Sequence, residues 1–298
     1  MPASENLIAA FAASHAATAS DKTPNNWLAG LHFWHTVNGA TWHGADRRGF
    51  AKMVPSSSQR AKRPPVTIEA LCILHDNLNP QSPYNVTVGA VALTAFWSCC
   101  RLGELTVRDR NFFDPLKHVS RSVLPLSVNS LTDESRTRYT FFHIPWSKTN
   151  KESGAVISVT ARPHHTDPLK ALSLHATVNS GIPAYTPLFS YKNPSGWEPL
   201  TKASFILRCN DVWVQNGFPS MPSHTFHIGG TTELLLQGVN PDVITVQGQW
   251  TSQAFLDYWR RVESVLPLFI SSSVNVNRLQ HVDATMNAFA RHHNIPQV

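Results

Sequence analysis

The stretch Tyr84–Cys100, YNVTVGAVALTAFWSCC, contains no charged residue. A segment this apolar must leave water, yet it never offers the roughly 18 uninterrupted apolar residues that a membrane span requires. It therefore reads as a helix that is apolar all round and buried inside a globular body. Directly after it comes Arg101, in WSCCRLGEL. A guanidinium at the end of a buried run is costly unless it is matched. Glu104, at i,i+3, offers a structural match, and a bound anion offers a functional one.

Elements expected around this helix follow from pattern. Ser4 is placed to cap a helix over Ser4–Ala17, with Leu7, Ile8 and Phe11 at helical spacing. A second amphipathic stretch, Asn25–Val37, sets Trp27, Leu31, Trp34 and Val37 along one stripe. Residues 54–65, VPSSSQRAKRPP, cannot build a packed core and read as an exposed linker. The expected organisation is thus a short helical domain over 1–64 and a larger domain over 66–298, in line with the usual 100–200 or so residues per domain. In the larger part, Thr67 can cap a helix to Leu78, and Tyr139–Pro145 with Ala155–Thr160 alternate around a polar loop containing Gly154, a hairpin signal. Helical patterns recur at Asp167–Val178, Ser204–Gln215, Thr225–Gln237, Pro241–Gln247, Ser252–Val265 and Asp283–His292. The fold class expected is mainly α with a small antiparallel β-sheet.

Charge leans toward a polyanionic partner: 25 Lys and Arg stand against 19 Asp and Glu, with a pI near 9.3. The surplus is densest at the front, where residues 1–66 hold seven basic and three acidic side chains. Arg60, Lys62 and Arg63 in the linker are suited to phosphate contact or to a plain solvated tether. Cys72, Cys99, Cys100 and Cys209 show no CxxC spacing and read as buried thiols in a reducing compartment. No secretory leader is expected, and an intracellular protein without membrane contact follows.

Two further segments combine residue types that serve phosphate chemistry. In Ser223-His224-Thr225-Phe226-His227-Ile228-Gly229-Gly230, two glycines beside a helix start allow close approach to a ligand or another helix, and the helix start favours an anion. In Gly248-Gln249-Trp250 through Asp257-Tyr258-Trp259, Phe255, Tyr258 and Trp259 share a helix face, and read alone they are core aromatics.

The order of these motifs is more specific than any one of them. RLGEL, a hairpin bearing lysine, H-x-x-(R)-x-G, and G-x-W shortly before a tyrosine resemble the tyrosine recombinase, or phage-integrase-like, family. PWSKT, HTFHIGGTTELLLQGV and GQWTSQAFLDYWRR look most like the Crypton-type recombinases of eukaryotic mobile elements. The resemblance spans roughly Pro65 to Val265. It implies a recombinase catalytic fold preceded by a core-binding domain, double-stranded DNA as partner, a homo-tetramer on paired sites, the nucleus as location, and no metal or cofactor. It further implies Arg101 as the first arginine, Glu104 as its acidic support, Lys148 as the hairpin lysine with Lys151 as rival, and His224 as the first histidine. Trp250 takes the His/Trp position, with Gln249 as rival, and Tyr258 is the nucleophile.

One position departs from the pattern: His227 stands where the family has its second arginine. In the family's reaction the tyrosine attacks a phosphodiester and leaves a 3′-phosphotyrosine, and fixed donors stabilise the phosphorane-like transition state. A histidine offers a single donor and is largely neutral near pH 7, whereas arginine offers a charged fork. Impaired cleavage is expected. Two alternatives share the motifs: a DNA-binding protein that no longer cuts, and a nicking-closing activity like that of type IB topoisomerases.

Metal binding is not expected, because His164-His165 and His292-His293 are adjacent pairs whose side chains would splay about 100° apart on a helix. The terminal helix Asp283–His292 turns Met286, Phe289 and Ala290 to one face, to pack on its own body or on a neighbouring subunit.

Overall fold

The structure is a computed structural model that describes residues 2–15, 22–44, 65–132, 136–250, 284–289 and 291–292. The chain divides into two compact units, residues 1–62 and 63–298. Arg60, Lys62 and Arg63, most of the expected linker, the helix expected over Ser252–Val265 and Tyr258 within it lie outside the described residues.

In the first unit, α1 (Glu5–Ser14) starts at Ser4, whose Oγ accepts the Leu7 N–H at 3.3 Å. The second helix, α2 (Lys22–Val37), is longer than the pattern suggests, and the face it buries is not the Trp27–Val37 stripe. Trp27, Leu31, Trp34 and Val37 are exposed, while Leu28 and His35 are buried. The reason is polar: Nε2 of His35 accepts the Ala3 N–H at 2.9 Å, and its Nδ1 donates to the Leu31 carbonyl at 2.8 Å. That bond turns His35 to the start of the chain, while Trp27 packs edge-on against Phe11 and His15, with ring centroids 6.3 and 5.0 Å apart.

The second unit is built around α4 (Pro83–Trp97), the uncharged helix. Ser82 caps it, and every residue from Val86 to Trp97 except Gly89 is buried. Around it lie α3 (Ile68–Asp76, capped by Thr67), the short α5 (Leu102–Leu105), α6 (Pro168–Val178), α7 (Lys202–Gln215), α8 (Thr225–Leu236) and α9 (Pro241–Gln247). Helices α6 and α8 pack directly on α4. Phe205, Trp213 and Phe226 form an aromatic layer between α7 and α8, with ring centroids 5.3 and 5.6 Å apart.

The expected hairpin is present as β2 (Arg138–Ile144) and β3 (Ala155–Thr160), paired antiparallel from Tyr139 opposite Thr160 to Ile144 opposite Ala155. Thr140, Phe142 and Ile144 face the core and Phe141 and His143 face out, the alternation that defines a half-buried strand. Gly154 closes the loop at φ +60°, where a Cβ would run into the Ile144 carbonyl. Two features carry little pattern and escape sequence reasoning: the two-residue β1 (Asn129–Ser130) beside β2, and a separate hairpin of β4 (Ser190–Asn193) and β5 (Gly196–Pro199). The fold class is therefore mainly helical with small antiparallel sheets.

A buried polar node ties α4, α6 and the segment before β4. Arg121, 5% exposed, donates Nη1 to the Leu188 carbonyl at 3.1 Å and Nη2 to the Asn179 carbonyl at 3.0 Å. His175 donates Nε2–H to the same Leu188 carbonyl at 3.0 Å and accepts at Nδ1 from Asn179 Nδ2 at 3.2 Å. Burial, with Arg121 beside it, drops the His175 pKa to about 4, so the ring is neutral. At the far end of the chain, residues 284–289 are helical, Met286 is buried in the main core and Phe289 packs against it.

Candidate active site

Helix α4 ends one residue before Ser98, whose Oγ donates to the Ser158 carbonyl of β3 at 2.8 Å. Cys99 then adopts the left-handed region, φ +50°, and the chain turns sharply into Arg101, the N-cap of α5. Glu104 makes that cap: its carboxylate accepts the Arg101 backbone N–H at 2.9 Å and Nη1 of the same residue at 3.2 Å. Burial pushes the Glu104 carboxyl up, and the N–H and guanidinium of Arg101 pull it back. The structural match expected for Arg101 is thus realised. The Arg101 side chain nonetheless keeps 23% exposure, and Nη1 is the sole guanidinium nitrogen bonded among the described residues. The remaining donors suit an incoming anion.

The second part of the site is the start of α8. His224 is its half-buried N-cap, and His227 lies one turn later at 1% exposure. The rings are 5.5 Å apart, centroid to centroid. Nδ1 of His227 lies 2.6 Å from the Cys99 carbonyl, and a carbonyl can only accept, so Nδ1 carries the proton. Burial first, then the positive field of Arg101, lowers the His227 pKa to about 3. The ring is neutral at any working pH. Acidification is therefore not a route to a charged imidazolium here.

The two glycines after His227 have their partners in protein. A Cβ on Gly229 would meet the Val66 carbonyl, and one on Gly230 the Phe96 carbonyl. The close approach they allow is that of helix to backbone, and it sets the depth at which His224 and His227 sit beside Arg101.

Trp250 closes the site. Its ring centroid lies 4.5 Å from that of His227, and it occupies the space a side chain at Gly248 would need. Gln249, at φ +56° and 9% exposure, has its Oε1 buried without a hydrogen-bond partner among the described residues. Of the two rivals, it is Trp250 that touches a site histidine.

The hairpin loop is tied to this segment. Thr149 Oγ1 donates to the Gln249 carbonyl at 3.1 Å, and Gln247 Nε2 donates to the Ser158 carbonyl at 2.7 Å. Lys148, next to Thr149, is exposed. Lys151 sits at φ +53° with Nζ 5.4 Å from the centre of the Trp146 ring, a cation–π contact that occupies its ammonium. A groove of about 560 Å³ runs beside the site, lined by Gly103 and Ser223 from its two arms and by Arg108, His118 and Lys202.

Arg101, Glu104, His224, His227 and Trp250 thus come together from three separate segments, the Lys148 loop is anchored to them, and Tyr258 lies outside the described residues. Sequence reasoning missed the residues that hold the frame, namely Cys99 through its carbonyl, Thr149, and Lys202 with Arg108 on the groove. Nothing in their local pattern marks them. The groups of side chains spaced to hold a metal ion among the described residues lie elsewhere, on Cys72, His75, Asp76, His164 and His165.

No protein-family profile matches the chain, and no curated protein matches it in sequence. Among solved structures, a Flpe–Holliday junction complex is 14% identical with a TM-score of 0.38, aligned over 64% of this chain and 45% of that one. An FLP recombinase–Holliday junction complex is likewise 14% identical, with a TM-score of 0.39, over 63% of this chain and 43% of that one. The chain spans less than half the length of these proteins, and the likeness is faint.

Proposed function

We propose that the protein is a DNA-binding member of the tyrosine recombinase class, of the Crypton-type mobile-element branch, with strand cleavage impaired by His227. The observation that carries the reading is the gathering of Arg101, His224 and Trp250 around position 227, in the order the motifs give. Motifs of a coincidental kind have no reason to meet in space.

In this reading Tyr258 Oη attacks the phosphorus of a backbone phosphodiester. A P–O bond to tyrosine forms, the P–O5′ bond breaks, the tyrosine proton passes to His224, and Lys148 protonates the leaving 5′-oxygen. Arg101, held by Glu104 and open on its other edge, binds the non-bridging oxygens as their charge grows. Trp250 packs behind His227 and buttresses the segment that carries the tyrosine. Arg108 and Lys202 line the path of the flanking backbone, Arg60, Lys62 and Arg63 add phosphate contacts from the linker, and the short helical unit serves as the core-binding domain. A tetramer on paired sites in the nucleus completes the proposal.

A second reading is favoured by the His227 pKa near 3. A neutral ring bonded to the Cys99 carbonyl supplies no second cation to the phosphate, so the chain would bind DNA without cutting it. The two readings separate on nicked suicide duplexes bearing a candidate site. Covalent adduct that Tyr258→Phe and Arg101→Ala both abolish supports cleavage. DNA retention in a gel shift with no adduct supports binding alone, and neither adduct nor retention overturns both.

A further inference from the structure

On α3, Cys72, His75 and Asp76 are spaced i, i+3, i+4 and so share one face. The pair His164-His165 meets that face. These two residues lie in the turn that leads into α6, not in a helix, so their side chains are not splayed. Their rings lie 4.0 Å apart at 39°, and His165 is 5.2 Å from His75. The ligand atoms of Cys72, His164 and His165 all fall within 4.8 Å of one another, and so do those of His75, Asp76 and His165. A tetrahedral ion with bonds of about 2.0–2.3 Å draws its ligands to within about 4 Å, so small side-chain rotations close the set.

The chemistry of the donors is selective. A thiol and two imidazoles form a borderline-soft set that suits zinc rather than magnesium or calcium. Asp76 adds the support that metal-bound histidines commonly have, a carboxylate 3.4 Å from Nε2 of His165 and 3.1 Å from Nδ1 of His75. Asp76, His75 and His165 also border a cavity of about 370 Å³, which gives water and ions access.

We propose that Cys72, His164 and His165 form a site for one divalent ion of the zinc class, with Asp76 orienting His165. The ion links α3 to the connection between β3 and α6. It stands apart from the proposed strand-cleavage chemistry, which uses none of these residues. Its consequence is structural: α3 follows Val66, whose N–H donates to the Thr225 carbonyl at the start of α8, so a staple on α3 steadies the backbone behind the site histidines.

The test is a titration of full-length, tag-free, metal-stripped protein with Co²⁺, followed by displacement with Zn²⁺. One Co²⁺ per chain is expected, with tetrahedral visible bands and a thiolate-to-cobalt charge-transfer band, both removed by Zn²⁺. Cys72→Ser should remove the charge-transfer band, His165→Ala should weaken binding at least about tenfold, and Asp76→Asn about tenfold. His164 and His165 are exposed, so their alanine variants test the site even where Cys72→Ser disturbs folding. Absence of saturable binding, or affinity unchanged within about twofold in both His164→Ala and His165→Ala, would overturn the proposal. DNA retention and adduct formation by the metal-free protein report separately on the reading of the previous section.

Discussion

His227 holds the Cys99 carbonyl from 2.6 Å while its ring lies against Trp250. The residue that departs from the recombinase pattern is therefore not a loose substitute but an integrated part of the frame. An arginine here would keep the bond to Cys99 through one N–H, lay its planar head on the tryptophan, and present a second cation to the phosphate.

His227→Arg should accordingly raise covalent complex formation on a suicide substrate by at least about tenfold, toward the 100- to 1000-fold or so that one transition-state donor is worth. The same variant should melt at lower temperature without DNA, since it adds a charge beside Arg101 at a buried position. DNA should restore the difference. Calorimetry with and without duplex, beside the adduct assay, checks both halves; an unchanged adduct yield in a variant that still binds would refute the assigned role of position 227.

Acid should unfold the protein through its neutral histidines. The folded pKa values of His175, about 4, and His227, about 3, lie below the ordinary 6.5, so between those values the unfolded chain binds more protons than the folded one. Stability therefore rises with pH, is fully present above about 6.5, and is lost as pH falls from there toward 4. Each ring contributes on the order of 3 kcal/mol to that loss. Denaturant midpoints at pH 7 and 5 should differ in this direction, and His175→Gln should flatten the slope.

Gly230→Ala places a methyl on the Phe96 carbonyl, a rigid neighbour that cannot move aside. We expect a loss of about 1–3 kcal/mol, the usual cost of overpacking, as α8 is pushed off α4. DNA cleavage or binding at the site should fall further than stability alone explains, because His224 and His227 ride on the displaced helix. Gly103, with nothing near its Cβ position, is the control, and its alanine variant should be close to neutral.

Arg108→Ala and Lys202→Ala should weaken DNA binding evenly across sequences. Each should also reduce the slope of log affinity against log salt by about 1, the mark of a lost phosphate contact. A gel-shift series over salt concentration measures this, and an unchanged slope would show that the groove does not follow the backbone.

The legibility of the fold depended on how local each signal was. The uncharged run became α4 because nothing but burial suits it, and Thr67, Asp167 and Asn240 cap helices through side chains that bond within three residues. Which face of α2 is buried was not legible, because the deciding bond, from Ala3 to His35, joins residues 32 apart. The candidate residues that lie together could be picked out by the order of their motifs, yet their depth could not, since the Gly229 and Gly230 contacts belong to Val66 and Phe96. The His164-His165 pair was dismissed on helical geometry, and the chain places it in a turn.

The Ser158 carbonyl receives Ser98 from the end of α4 and Gln247 from the end of α9. Because the shared acceptor is main chain, no replacement of the side chain at 158 can delete it. The joint is immune to mutation at its own position and vulnerable at two distant ones, so drift in the strand leaves the frame of the site intact, while a single hydroxyl or amide lost elsewhere loosens it.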